Sequence, residues 1–224
     1  MGNWINIVFV IDESGSMMGS ESDVTGGFKR IVDEQRANKD GKATISLYTF
    51  ASKVGELYRG IDVNEIDEFV YRPGGMTALY DGVGTAIDNI GKWLHEKDKN
   101  GEEMPSKTMF VIMTDGHENY SKEYNLSDIQ SKIKEQTEVY SWEFVYFGTD
   151  LMDKTQGDSL GVKNQFYTTK HKMSKAFDAF NTVACNYRKC LSLSEANASI
   201  SSEISNYSAS LLNEYENDTG IKME

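Results

Sequence analysis

Three short, nearly unbroken apolar runs limit what this chain can fold into: Ile5–Ile11 (INIVFVI), Thr108–Met113 (TMFVIM) and Trp142–Phe147 (WEFVYF). None approaches the roughly 20 apolar residues needed to span a bilayer as a helix. Strands with one wet face alternate polar and apolar positions, and these runs do not. Rich in β-branched and aromatic residues, they read as parallel strands covered on both faces. Between them the periodicity changes to helical. Val24, Phe28, Ile31 and Val32 recur at helical steps between Glu21 and Asn38, as do Leu79, Val83, Ile87, Ile90 and Leu94. Leu126, Ile129 and Ile133 mark another helix, and Met173, Phe177, Phe180, Val183, Ala184 and Tyr187 a last one.

Two further strands complete the pattern. Ile45, Leu47 and Thr49 alternate with Ser46, Tyr48 and Phe50, and the link Ala51–Lys53 then leads to Val54–Ile61. So short a link permits a hairpin and no crossover, so this third strand runs antiparallel to the second. Gln165–Thr168 reads as a short edge strand. The expected fold is α/β: a Rossmann-like doubly wound, mostly parallel six-stranded sheet with one antiparallel edge strand and helices on both faces. Residues 1–190 form that domain. Residues 191–224 are rich in Ser, Asn and Glu, yet Leu193, Ile200, Ile204, Tyr207 and Leu211 fall at three-to-four-residue steps. That extension is either an amphipathic helical arm or a flexible tail.

Charge and composition narrow the partners. The formal net charge of -12 repels nucleic-acid backbone and anionic membrane surfaces, so neither is expected as a main partner. Met1-Gly2-Asn3-Trp4 leads almost at once into a strand and lacks a basic segment and small-residue cleavage site, which points to a cytoplasmic protein. Cys185 and Cys190 would lie about 140° apart around a helix, which disfavours a mutual disulfide. His95 and His171 have no acidic or cysteine partner at ligand spacing, so no zinc site is read.

In doubly wound sheets, ligands bind beyond the carboxyl ends of the strands, so the loops after Ile11 and Met113 matter most. The first is Asp12-Glu13-Ser14-Gly15-Ser16-Met17. A carboxylate followed by hydroxyls at i and i+2 can converge on one point if the chain turns sharply, and Gly15 makes such a turn cheap. An all-oxygen set suits a hard cation such as Mg²⁺. A second loop, Pro73–Gly82 (PGGMTALYDG), places Thr77 immediately before a helix, where a threonine can also serve simply as an N-cap. A third, Met113–Asn119 (MTDGHEN), puts Asp115 at the end of a buried strand, where Asp-Gly alone is only a turn signal. Glu13 and Glu118 flank these loops, as solvated carboxylates commonly do. Asp81 favours a helix dipole, and Asp150 follows the last long strand on the same edge.

Together, and in this order, the pieces resemble the von Willebrand factor type A domain and its metal-ion-dependent adhesion site. That family's pattern is Asp-x-Ser-x-Ser after the first strand, a later Thr and an Asp after the fourth strand. Here it is met by Asp12, Ser14, Ser16, Thr77 and Asp115, and the likeness runs from about Asn3 to Tyr187. The strings DESGSM, GGMTALYDG and MTDGHEN take forms common in bacterial and phage-like single-domain members. The resemblance implies direct coordination of a divalent cation, Mg²⁺ or alternatively Mn²⁺ or Ca²⁺, by Ser14 and Ser16. It implies that Thr77 coordinates directly or through water, and that Asp12 and Asp115 act mainly through waters and hydrogen bonds to the serines. One position would remain for a Glu or Asp carboxylate from a partner protein.

The function expected is therefore a non-enzymatic, metal-dependent protein-binding adaptor. An assembly component, such as a phage or filament subunit oligomerising through its C-terminal segment, is the alternative. A Mg²⁺-dependent phosphohydrolase of the haloacid dehalogenase type would need a second acid two residues after Asp12, where Ser14 stands.

Overall fold

The computed structural model describes residues 3–148, 155–168, 173–190 and 193–219. Its strands are β1 (Trp4–Asp12), β2 (Lys42–Phe50), β3 (Val54–Asp62), β4 (Lys107–Thr114), β5 (Glu143–Gly148) and β6 (Asn164–Tyr167). Its helices are α1 (Glu21–Ala37), α2 (Leu79–Lys99), α3 (Leu126–Tyr140), α4 (Thr155–Leu160), α5 (Met173–Lys189) and α6 (Leu193–Thr219). The six strands form one sheet in the order β3-β2-β1-β4-β5-β6. All neighbours are parallel except β2 and β3, which form the antiparallel hairpin that the three-residue link requires. Asp150 and His171 lie outside the described residues.

The apolar runs are continuous because each strand feeds two cores. Along β1, Ile5, Ile7, Phe9 and Ile11 enter the layer under α1 and α5, while Val8 and Val10 enter the layer under α2 and α3. In the first layer Phe9 meets Phe28 edge-on at 5.4 Å between ring centroids and Phe180 at 6.1 Å. Gly27 lets α1 approach α5 closely, because a Cβ there would collide with the Phe177 ring. In the second layer Phe110 stacks on Trp142 at 5.2 Å and on Phe144 at 5.1 Å. Offset stacking and edge-on geometries of this kind favour a fixed arrangement over a fluid one.

The two sheet edges are protected differently. The β3 edge has register shifts against β2, and Gly60 sits there at φ 61 with the Trp93 indole beneath it. Bulges and charges of this sort discourage strand addition. The β6 edge is covered by α6, whose Ile200 and Ile204 are buried in the first core and whose Leu211 is buried in the second. The regular spacing in this Ser/Asn-rich segment therefore marks a helix that wraps from one face of the sheet to the other. No helix among the described residues is long and apolar enough to cross a membrane.

Candidate metal centre

β1 and β4 are adjacent and parallel, so both carboxyl ends emerge at the same end of the sheet. Asp12, the last residue of β1, is fully buried. Its Oδ1 accepts the Ser14 N–H at 2.6 Å and its Oδ2 accepts the Thr114 hydroxyl at 2.5 Å. Burial pushes its carboxyl above the ordinary value; the bonds from Thr114 and Ser14 oppose that, and the charge of Asp115 adds to it. Buried ionised carboxylates persist only with such support or a nearby cation.

From that anchor the chain turns through a short 3-10 segment, Gly15–Met17. The turn brings Ser14 Oγ to 2.9 Å from Ser16 Oγ, and the Ser16 hydroxyl donates to Asp115 Oδ1 at 2.6 Å. Two strand ends far apart in sequence thus supply oxygens to one cluster. Burial is graded outward: Asp12 and Ser14 are buried, Asp115 is half-buried and Ser16 is exposed.

Thr77 joins from a third loop. It does not cap α2: that position falls to Ala78, which makes no side-chain cap bond. Its backbone is clamped instead by Asn119, whose Oδ1 accepts the Thr77 N–H at 2.9 Å and whose N–H donates to the Thr77 carbonyl at 3.0 Å. A Cβ placed on Gly116 would lie 3.2 Å from Ser16 Oγ and 3.4 Å from Thr77 Oγ1, so both hydroxyls border the small space that this glycine leaves. The loops are also stitched through their backbones. Gly15 N–H donates to the Gly75 carbonyl at 3.0 Å, and Gly74 N–H to the Glu13 carbonyl at 2.7 Å. Gly75 takes φ 89, a left-handed turn that suits glycine. The Tyr71 hydroxyl donates to the Asp12 carbonyl.

Glu118, which flanks the site, and Asp81, which does sit in the first turn of α2, also bond to backbone N–H groups. Glu118 accepts the N–H groups of Tyr80, Tyr120 and Ser121 at 2.7–3.0 Å. Asp81 accepts those of Lys122, Glu123 and Tyr124 at 2.9–3.0 Å. Both are braces tying the loop after β4 to the start of α2. Thr114 and Asn119, by contrast, were not singled out in the sequence. Both lie inside the MTDGHEN string, and a hydroxyl beside the motif's Asp was the available signal for Thr114.

The donor set fits a hard divalent cation. Every candidate atom is oxygen, and adjacent ligands of an octahedral ion with bonds of 2.0–2.1 Å are about 2.9–3.0 Å apart, the same as the Ser14–Ser16 hydroxyl spacing of 2.9 Å. Among the described residues no group of three or more His, Cys, Asp and Glu is placed to hold a metal, so an ion here would depend on hydroxyl oxygens. His117 sits beside Asp115 with Nδ1 3.2 Å from Gln156 Oε1, and Cys185 and Cys190 are free thiols.

A family model described as the von Willebrand factor type A domain matches residues 6–182. No curated protein sequence matches the chain. Solved structures share the fold at low identity. One is proximal thread matrix protein 1 from the mussel byssus, with a zinc-occupied MIDAS motif (18% identity, TM-score 0.53), for which the match covers 82% of this chain and 46% of that one. The chain thus spans about half the length of the mussel protein. Another is the domain of a type V pilus tip protein from Porphyromonas gingivalis (12% identity, TM-score 0.57, 82% of this chain and 96% of that one). A third is the manganese-loaded TRAP protein of Plasmodium vivax (16% identity, TM-score 0.52, 78% of this chain and 72% of that one).

Proposed function

The chain belongs to the von Willebrand factor type A domain family, and on that premise we propose that it is a protein-binding module that captures a partner's Asp or Glu through a divalent cation, with no catalytic step. The observation that carries this is the convergence of Ser14 Oγ, Ser16 Oγ and Asp115 Oδ1 from two strand ends. The cation would be held by Ser14, Ser16 and Thr77, with Asp12 and Asp115 behind them, and Mg²⁺ is our choice among divalent ions. When bound, it supplies positive charge that offsets the buried Asp12 and attracts an incoming carboxylate.

The chain's own residues do the rest. Asp12 fixes the Ser14 backbone through one oxygen and Thr114 through the other. By accepting the Ser16 hydroxyl's hydrogen bond, Asp115 turns that hydroxyl's lone pairs toward the space beside Gly116. Ser16, the outermost of these residues, stands where a partner would arrive. The mussel structure is described as having a zinc-occupied MIDAS motif and the Plasmodium vivax structure as manganese-loaded, which supports a divalent cation in a chain of this fold.

The test is calorimetric titration of Mg²⁺ into the full chain and into a Ser14→Ala/Ser16→Ala variant. We expect at least a roughly 100-fold loss of affinity with an unchanged far-ultraviolet circular dichroism spectrum. Wild-type affinity in the variant would sink the ligand assignment. Capture of a partner from the native host should then require Mg²⁺ and disappear with EDTA.

A second reading, an assembly component such as a filament subunit, draws support from the thread-matrix and pilus-tip proteins whose fold this chain shares. Ile200, Ile204 and Leu211 of α6 are spent on the chain's own core. Assembly would therefore use a surface other than the apolar stripe of α6. Mass measurement by size exclusion with and without Mg²⁺ separates the readings, since a stable oligomer in EDTA favours assembly.

A further inference from the structure

Four of the five residues proposed to hold the cation come from the ends of β1 and β4, whereas Thr77 comes from the loop before α2. Helix α2 does not orient it, because Ala78 holds the cap position. Bonds on alternate residues fix this strip of chain from two sides. Met76 N–H donates to Ser52 Oγ at 3.0 Å and Ala78 N–H to the Ala51 carbonyl at 2.9 Å, both toward the link between β2 and β3. The N–H and carbonyl of Thr77 turn the other way, and both end on Asn119. Its Oδ1 accepts the N–H at 2.9 Å, and its own N–H donates to the carbonyl at 3.0 Å. Thr77 is 4% exposed, so its main-chain N–H needs a partner, and among the described residues the Asn119 carboxamide is the one it has.

Asn119 is exposed, so its side chain adds no core packing. The loop after β4 is tied to the start of α2 independently, through Glu118 and the Tyr80 N–H at 3.0 Å and through the Asp81 N–H and Ser121 Oγ at 3.0 Å. Loss of the Asn119 carboxamide would leave those anchors, and those of Met76 and Ala78, in place. Only the peptide that carries Thr77 would be released. Its aim matters because the Thr77 hydroxyl and the Ser16 hydroxyl border one small space beside Gly116, and Ser16 Oγ is 2.9 Å from Ser14 Oγ. Mg²⁺ demands a near-ideal octahedron with bonds of about 2.0–2.1 Å, while Ca²⁺ accepts six to eight oxygens at about 2.3–2.6 Å in irregular geometry. A third hydroxyl held in one place therefore favours the smaller ion, and a loosened one penalises the larger ion less.

We propose that Asn119 is a positioning residue for the cation: by holding the Thr77 peptide it fixes where the Thr77 hydroxyl stands and biases the site toward Mg²⁺ over Ca²⁺. This rests on the cation reading above and adds to it a residue that touches no ion itself. The experiment titrates Mg²⁺ and Ca²⁺ by calorimetry into the full chain, Asn119→Ala, Thr77→Ala and the double variant, with thermal unfolding of each in EDTA. Asn119→Ala should lower Mg²⁺ affinity about tenfold, the lower end of what outer partners of metal ligands contribute, and Ca²⁺ affinity less than about threefold. Its unfolding temperature in EDTA should stay within about 2 °C of wild type. Thr77→Ala should weaken Mg²⁺ binding at least as much, and adding Asn119→Ala to it should cost nothing further, because the effect of Asn119 runs through Thr77. Wild-type Mg²⁺ affinity in Asn119→Ala, or the same loss from Asn119→Ala with and without the Thr77 hydroxyl, overturns the positioning role and leaves cation binding standing. Equal losses for Mg²⁺ and Ca²⁺ overturn the bias between ions. A wild-type chain that binds neither ion overturns the cation reading and the positioning role together.

Discussion

At the carboxyl ends of β1 and β4, acidic and hydroxyl side chains point at one another. At the opposite end of the sheet, two cations point at backbone carbonyls. There Arg188 of α5, 2% exposed, donates to the carbonyls of Gln35, Asp40 and Gly41 at 2.5–2.8 Å and to Gln35 Oε1 at 3.2 Å. Lys107, the first residue of β4, donates to the carbonyls of Tyr187 and Cys190 at 2.7 and 2.5 Å. Lys107 reaches carbonyls at the end of α5, and Arg188 reaches carbonyls at and just beyond the end of α1, where carbonyls lack intrahelical partners. Burial works against the charge of each, and hydrogen bonds to main-chain oxygen offset that cost. The lower cluster is closed, its donors matched by acceptors, and ties α5 to the sheet. The upper cluster, at the carboxyl ends of β1 and β4, gathers acceptors around hydroxyls, an arrangement that the cation of the proposed function would complete. Buried polar groups alone do not mark a site; the direction in which their capacity points does.

The largest effect expected from breaking this contrast is at the closed end. Arg188→Ala takes four hydrogen bonds from the buried Gln35 and from the part-buried carbonyls of Asp40 and Gly41, and loss of a hydrogen-bonded buried charge costs about 3–5 kcal/mol. Arg188→Lys, which keeps charge but loses the planar fork, should cost about half as much. Urea unfolding measures both. If Arg188→Ala stays within 1 kcal/mol of wild type, roughly the worth of one ordinary hydrogen bond, the lower cluster is not structural and the comparison fails.

One group at the closed end departs from the rule. Glu143, the first residue of β5, is 7% exposed, and burial pushes its carboxyl up to about 7, against the opposing influence of Lys163 and a bond from Asn164 Nδ2 at 3.2 Å. Because the folded chain holds this proton more tightly than the unfolded chain, the associated stability is fully present below about pH 4.5 and is lost as pH rises through about 7. Wild type should therefore lose about 2 kcal/mol relative to Glu143→Gln between pH 5 and pH 8. The glutamine retains an acceptor for Asn164. Parallel stability profiles for the two proteins would show that Glu143 ionises freely, and the closed end would then hold an ordinary carboxylate.

The sequence made the strands and the Asp12-Ser14-Ser16 turn readable because both depend on local order, whereas Thr77 and Asp115 were placed with them by the family resemblance. A run such as INIVFVI can bury both faces only as a central strand, and Asp-x-Ser-x-Ser needs only its own turn to bring its oxygens together. The braces were not readable. Glu118, Asp81 and Asn119 bond to backbone N–H groups that carry no side-chain signature, and their partners are chosen by how α2 approaches the loop after β4. Nor was α4, whose six residues, TQGDSL, are too short to show a period. For α6, Ser and Asn were compatible with a tail as well as a helix; burial of Ile200, Ile204 and Leu211 against the β6 edge supplies what composition lacked.

The smallest expected effect gives the sharpest test of the open end. Gly116 lies outside the left-handed region, so Gly116→Ala adds a methyl without forcing the backbone into a strained conformation. That methyl would lie 3.2 Å from Ser16 Oγ and 3.4 Å from Thr77 Oγ1, in the space that separates the hydroxyls. Restricting the unfolded chain at a compatible glycine stabilises by about 0.4–1 kcal/mol, less whatever the tight contact costs. Filling the space should weaken Mg²⁺ binding about tenfold, or about 1.4 kcal/mol. Thermal unfolding in EDTA and calorimetric titration read the two quantities separately. A substitution that leaves or raises stability while lowering metal affinity is what the proposed function expects of an open site, whose space would serve binding without holding the fold. If stability and affinity fall together, Gly116 is packed for the fold and the upper cluster belongs with the lower one.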